Sequence, residues 1–311
     1  MDAAMHMLGS AGDQEAAART SEAVARIWGK DDAAYYQCNN CTLEFGWPFV
    51  AATSEVYSAA YSGTVFYESW KWEYDISLDR IKSIVAGKGP NLKLIEIGAG
   101  DGAFVRRLAK DIIPASNLLT TEFSAYGRKV ISDAGIPCLS VDIPELVRNI
   151  SGGRYNIACM FQVLEHLDNP TGALSTIATL MEKEADLFIA VPNNYHRKLY
   201  DSVGEHFDLA PVHLTRWSRK SMELLARNSG WKVVEHLYQP QPVLGKLRFF
   251  LSNRYQVSSL KKIASRAGNK AVYTLLTSIF ILLLAFRYTR QVWKLIAGAT
   301  GVSQWYWLKK I

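Results

Sequence analysis

Three glycines spaced two apart and a set of acids after short apolar runs are the residues best placed to do chemistry. The segment Leu94-Ile95-Glu96-Ile97-Gly98-Ala99-Gly100-Asp101-Gly102-Ala103-Phe104 reads as a strand running into a tight turn that opens a helix. Glycine permits positive φ and lets a ligand lie against the main chain with no Cβ in the way. Taken alone, such a turn is also compatible with an ordinary bend or another nucleotide site. Three acids narrow the choice. Glu96 lies inside the strand itself, where a plain nicotinamide-binding fold places an apolar residue. Glu122 ends the next apolar run, where a carboxylate can accept both hydroxyls of a ribose. Asp142 ends the third, where it can accept from an adenine amino group or, instead, cap the helix starting near Pro144. Three histidines, His166, His206 and His213, are suited to moving a proton near neutral pH.

These residues must be held by a frame, and the pattern from Asn91 onward supplies one. Strands are expected at Lys93–Ile97, Asn117–Thr121, Cys138–Val141, Asn156–Phe161, Asp186–Val191, Trp231–Leu237 and Leu247–Leu251, with helices between the first six. Short apolar runs separated by helices indicate an α/β fold: a doubly wound, mostly parallel seven-stranded sheet covered on both faces. The last two runs are joined through Pro240 and Pro242 with no room for a helix, so they are expected to pair antiparallel. Ahead of the sheet lie a short helix around Ala16–Ile27, an aromatic-rich stretch, and a helix over Phe66–Val85. The division is a leader over 1–54, a sheet domain over 55–252, and a basic, apolar helical tail over 253–311.

The order of these phrases resembles the class I S-adenosylmethionine-dependent methyltransferases, which share a Rossmann-like fold. More narrowly, it is similar to the branch holding ubiquinone-pathway O-methyltransferases and many sugar or small-molecule O-methyltransferases. Three phrases carry the likeness beyond the glycine turn. The fourth strand continues Phe161-Gln162-Val163-Leu164-Glu165-His166-Leu167-Asp168-Asn169-Pro170, the fifth ends Val191-Pro192-Asn193-Asn194, and Pro211-Val212-His213-Leu214-Thr215-Arg216-Trp217-Ser218 precedes a helix. The resemblance spans roughly residues 55 to 252. It implies S-adenosyl-L-methionine as cofactor and methyl transfer to a small-molecule, sugar or lipid-linked acceptor. It further implies that Glu96, Gly98, Gly100 and Gly102 hold the methionine end. Glu122 would take the ribose, Asp142 with Ile143 the adenine, and Phe161 and Gln162 would close over the sulfonium side.

If the acceptor is a hydroxyl, a base must take its proton. His166 and His213 lie on loops expected to leave the same edge of the sheet, and are the catalytic candidates. The bland alternative is that either ring only bonds a loop backbone. Glu165 reads as an exposed acid at a helix start. Asn193 and Asn194 are candidates for orienting the acceptor or for plain turn roles. Two other functions stay open: a nicotinamide-dependent oxidoreductase, and a non-catalytic relative of the fold.

Charge is distributed unevenly. No Asp or Glu follows Glu235, whereas twelve of the chain's 35 Lys and Arg do. The earlier part therefore holds 23 cations against 29 anions, a net of −6. An acidic body attracts a cationic ligand, and a basic tail meets something anionic. The uncharged run Ala271 to Phe286 lies between a buried helix and a full span in length, so it can cross a membrane, lie along its surface, or pack as a core or dimer helix. With Trp293, Trp305, Tyr306 and Trp307 as interface aromatics, it favours association with a membrane surface over nucleic acid. Four cysteines do not make a secreted disulfide framework, and the acidic, Ala-rich start is no signal peptide, so a cytoplasmic location is expected. Cys38-x-x-Cys41 lacks a second pair nearby, and no metal ligand set is expected.

Overall fold

The computed structural model describes residues 14–30, 32–53, 55–56, 70–150, 154–202, 209–242 and 300–311. The chain divides into two compact units, one of 1–192, 208–237 and 303–311, the other of 193–207 and 238–302. The first holds a seven-stranded sheet in the order β5-β4-β3-β6-β7-β10-β9. Its strands are β3 (Leu94–Ile97), β4 (Leu118–Thr121), β5 (Cys138–Leu139), β6 (Tyr155–Phe161), β7 (Met181–Pro192), β9 (Trp231–Pro240) and β10 (Thr300–Lys310). Neighbours from β5 through β7 run parallel, and β10 runs antiparallel to β7. This is a Rossmann-like α/β fold, mostly parallel and wound on both faces.

Strand side chains alternate between faces, and here that alternation sorts the core. Ile95, Ile97, Ala158, Met160, Leu187 and Ile189 turn to one face, with α6 (Pro170–Leu180) and α8 (Arg219–Asn228). Leu94, Ile157, Cys159, Phe161, Phe188 and Ala190 turn to the other, with α2 (Trp72–Lys88), α3 (Ala103–Asp111) and α4 (Ala125–Asp133). Strands buried on both faces explain why their sequences are continuously apolar.

Strand β10 corrects the reading of the tail as helical over its last residues. The expected strand Leu247–Leu251 lies outside the described residues. Trp305 and Tyr306 are therefore core residues, both fully buried, on opposite faces of the sheet. Trp307 donates from Nε1 to Oδ1 of the fully buried Asp186 at 2.7 Å, and Lys309 pairs with the same oxygen at 2.7 Å. These three aromatics are accounted for by packing, so they are not interface anchors. The run Ala271–Phe286, Trp293 and most of the tail lie outside the described residues. Among the described residues no helix is long and apolar enough to cross a membrane.

Ahead of the sheet, α1 (Gln14–Trp28) precedes a hairpin of β1 (Ala34–Gln37) and β2 (Glu44–Trp47). Strand β8 (Thr215–Arg216) adds to that hairpin, making a separate three-stranded sheet. Ala23, Val24 and Trp28 of α1 share a buried cluster with Ala210 and Leu214. The N-terminal segment thus builds the seat of the loop carrying His213. In the second unit, Asn193 precedes α7 (Asn194–Ser202), and its Oδ1 accepts from Tyr195 N at 3.0 Å. Its Nδ2 donates to Gly301 O at 2.8 Å, a structural use of that side chain.

Candidate cofactor and acceptor site

The turn after β3 depends on glycine. Gly98, Gly100 and Gly102 have φ of 67°, 60° and 75°, a region that L side chains avoid. At Gly98 an added Cβ would meet Val163 Cγ2 at 2.6 Å. The turn is pinned to the neighbouring strand end: Ala99 N donates to Thr121 O at 2.9 Å and Gly100 N to Glu122 Oε2 at 2.8 Å. Gly127, in the first turn of α4, allows close approach, because a Cβ there would lie 2.2 Å from Gly100 O.

Parallel pairing places the three acids along one rim. Glu96 is in β3, Glu122 follows β4 and Asp142 follows β5, and these strands are neighbours in the sheet. Glu96 is fully buried, and its Oε2 has no hydrogen-bond partner among the described residues. Burial pushes its carboxyl well above the usual range; Lys71 opposes the shift, while Glu122 and Asp101 add to it. Glu122 is also raised, chiefly by burial, against bonds donated by the backbone of Ser124, Gly100 and Phe123. Ser124 N reaches its Oε1 at 2.7 Å. Ser124 itself caps α4, accepting from Gly127 N, so Glu122 is not needed as that helix's cap. The exposed Asp142 precedes the 3₁₀ turn Ile143–Glu145 but makes no side-chain capping bond, which leaves its carboxylate uncommitted to that turn. Ile143 is buried behind it.

At the end of β6 the two residues part ways. Phe161 turns into the core, 5.3 Å from Tyr74 and 5.0 Å from Phe104 between ring centroids. It is only 4% exposed, and so supports the rim from below. Gln162 takes φ of 57°, and its Nε2 donates to Glu73 Oε1 at 3.0 Å and Ser303 Oγ at 2.7 Å. Sequence reasoning missed Glu73, Lys71 and Ser303. Nothing in their local patterns marks them, because α2 and β10 are brought to this edge only by packing.

The phrase after β6 forms a 3₁₀ turn, Leu164–His166. Glu165 there is fully buried, which overturns its reading as an exposed acid at a helix start. His166 and His213 meet edge to face, with ring centroids 4.7 Å apart. Val212 O lies against His166 Nδ1; a carbonyl only accepts, so Nδ1 carries the hydrogen. Burial lowers the affinity of His166 for a second proton, against the carbonyls of Val212 and Gln162, with Lys71 adding to the effect. The loop bearing His213 is fastened by Leu214 N donating to Glu165 O at 2.8 Å, and by Tyr35. The Tyr35 hydroxyl donates to His213 O at 3.0 Å and accepts from Ala210 N at 2.5 Å. His206 lies outside the described residues.

Ligand atoms of Glu165, His166 and His213 all lie within 4.8 Å of one another, a grouping the linear sequence did not suggest. Cys38 and Cys41 sit in the β1–β2 turn as free thiols, with Cys38 made more acidic by the backbone of Cys41 and Asn40. Cys138 and Cys159 occupy β5 and β6, and burial pushes both thiols up.

A family model described as a methyltransferase domain matches residues 70–236. No curated protein matches the sequence. Among solved structures the chain is similar to an S-adenosylmethionine-dependent methyltransferase from Archaeoglobus fulgidus, at 14% identity and a TM-score of 0.48, covering 82% of this chain and 98% of that one. It is also similar to magnesium protoporphyrin IX methyltransferase from Synechocystis, crystallised with bound S-adenosylhomocysteine, at 11% identity and a TM-score of 0.46, covering 80% and 90%. A third is a cyclopropane synthase from Mycobacterium tuberculosis, at 13% identity and a TM-score of 0.44, covering 75% and 84%.

Proposed function

Because this chain belongs to the methyltransferase-domain family, we propose that it transfers the methyl group of S-adenosyl-L-methionine to a hydroxyl oxygen of a small-molecule, sugar or lipid-linked acceptor. The observation that carries the cofactor assignment is Glu96, a fully buried acid with an unpartnered oxygen beside a glycine turn. A ligand bearing an ammonium and a sulfonium relieves that burial by favouring the carboxylate, so the residues present fit this cofactor. When bound, S-adenosylmethionine supplies a methyl group already activated for displacement by its sulfonium.

The chain's own contribution is placement. Gly98, Gly100 and Gly102 let the methionine end lie along the backbone, with Glu96 taking its ammonium. Glu122 accepts from the ribose hydroxyls, and Asp142 with Ile143 holds the adenine. Phe161 keeps the floor rigid beneath Gln162, which faces the sulfonium side. Fixing the acceptor in line with the methyl group and excluding water is the main catalytic need. His166 and His213 stand where a hydroxyl acceptor loses its proton. The phrases around Glu165-His166 and Pro211–Ser218 support the O-methylating branch.

Acceptor identification tests this reading directly. Cell extract is incubated with the protein and methyl-labelled donor, then resolved by mass spectrometry. A labelled methyl ether, formed with S-adenosylhomocysteine, is the expected product; label only on nitrogen or carbon, or no turnover, overturns it. The excess of cations after Glu235 supports a cytoplasmic enzyme working at an anionic membrane surface. Fractionating the full chain against one with residues 255–299 replaced by a flexible linker tests that part, since the replacement spares β10. Equal solubility of the two removes its support.

A further inference from the structure

We propose that Cys38 and Cys41 are a redox-active dithiol that closes to a disulfide by exchange with low-molecular-weight disulfides. Both thiols are free and half-buried, in the turn between β1 and β2. The turn is tight. Thr42 N donates to Cys38 O at 2.9 Å, Cys38 N donates to Leu43 O at 2.8 Å, and Thr42 takes φ of 63°. Residues three apart in such a turn stand within about 7 Å between Cα atoms, the span a disulfide bridges. The side chains also converge, because the Cys41 thiol hydrogen-bonds the Cys38 sulfur. Joining them therefore asks for rotation of side chains rather than movement of the backbone.

The two sulfurs are not equivalent. Cys38 receives the backbone N–H groups of Cys41 and Asn40 and then the Cys41 thiol; burial opposes them, and the charge of Lys220 in α8 adds to them. Together they favour its thiolate, which is the attacking form. Cys41 is held within reach from the other side. Its carbonyl accepts from Thr42 Oγ1 at 2.6 Å and from Ser218 Oγ at 3.3 Å, and those two hydroxyls lie 2.7 Å apart. Ser218 caps α8, so the turn is fastened to a helix far away in sequence. The other two cysteines make the contrast. Cys138 and Cys159 lie in strands, where burial disfavours the thiolate of each.

The exchange proceeds in two steps. The Cys38 thiolate attacks one sulfur of the incoming disulfide, breaks its S–S bond and releases one thiolate. Cys41, deprotonated, then attacks the Cys38 sulfur of the mixed disulfide and expels the second thiolate. The two protons lost by the cysteines end on the two released thiols. The pair is oxidised by two electrons, and the incoming disulfide is reduced by two. This chemistry is separate from methyl transfer and draws on none of the residues assigned to it.

The test uses the full chain, reduced, freed of reductant and incubated with oxidised glutathione at neutral pH. Samples are quenched with an alkylating agent and read by peptide mass spectrometry. We expect the peptide holding Cys38 and Cys41 to become lighter by two hydrogens and to resist alkylation, while Cys138 and Cys159 stay alkylatable once the chain is unfolded. Cys41→Ser stops at a glutathione adduct on Cys38. Cys38→Ser forms its adduct roughly tenfold more slowly than Cys41→Ser does, because an ordinary thiol is only a few per cent ionised near neutrality. A parent that keeps both thiols alkylatable, a parent that halts at the glutathione adduct, or equal rates in the two variants overturns the proposal. Protection that a chelator lifts and a thiol reductant leaves in place marks a bound metal, and overturns it as well. Should either variant fold poorly, ring closure in the parent still decides the matter.

Discussion

The side-chain amide of Gln162 donates to Ser303 Oγ at 2.7 Å, joining residues 141 apart in sequence. Gln162 sits at the end of β6 on the candidate cofactor rim, and Ser303 belongs to the final strand, where it pairs with Pro192. The last residues of the chain are therefore part of the sheet that carries the candidate site. Deleting residues 300–311 removes a strand that brings Trp305, Tyr306 and Leu308 into the core. Circular dichroism should show loss of the cooperative melt, and Trp305→Ala alone should cost about 3–5 kcal/mol, the scale of a large aromatic truncation. A truncated chain that melts like the parent would contradict the sheet order described above.

Glu122 accepts from both Gly100 N and Ser124 N, so it shapes the turn as well as serving as the proposed ribose acceptor. Glu122→Ala should weaken S-adenosylmethionine binding by roughly 1–3 kcal/mol, the scale of lost charged hydrogen bonds. Calorimetry measures this, and unchanged affinity would place the ribose elsewhere.

Burial of Glu96 has a definite consequence for pH. Its carboxyl is raised in the folded protein, so the fold retains a proton that the unfolded chain releases above the ordinary carboxylate range. The folded state then binds more protons, and stability falls as pH climbs from that range towards the raised value. Glu122, raised in the same direction, adds to the slope. Glu96→Gln should flatten its own share of that fall in melts recorded across pH. A cationic cofactor favours the ionised form, so its affinity should rise with pH through the same window. A parent and variant with parallel pH profiles would remove Glu96 from the argument.

Tyr35 tests how the histidine loop is held. Its hydroxyl serves Ala210 N and His213 O together. Tyr35→Phe leaves both groups without that partner and should cost about 1–3 kcal/mol. Product formation should fall further than cofactor affinity if the loop faces the acceptor as proposed. Equal losses in both measurements would indicate a general unfolding effect instead.

The local parts of the site could be read from the sequence because they are local. A strand, three glycines at alternate positions and a following helix constrain one another within eleven residues, and the acids at successive strand ends follow from the same repeated unit. Alternating apolar runs likewise announced a two-faced parallel sheet. What the sequence could not determine was which distant segments complete it. The aromatic C-terminus reads as a membrane-surface anchor in a helical tail, since apolar content does not name its partner. Only pairing with β7 and the anchorage at Asp186 decide that. The same holds for Glu165, His166 and His213: their meeting depends on a loop seated by the N-terminal hairpin, and long-range packing of that kind has no period or spacing to read.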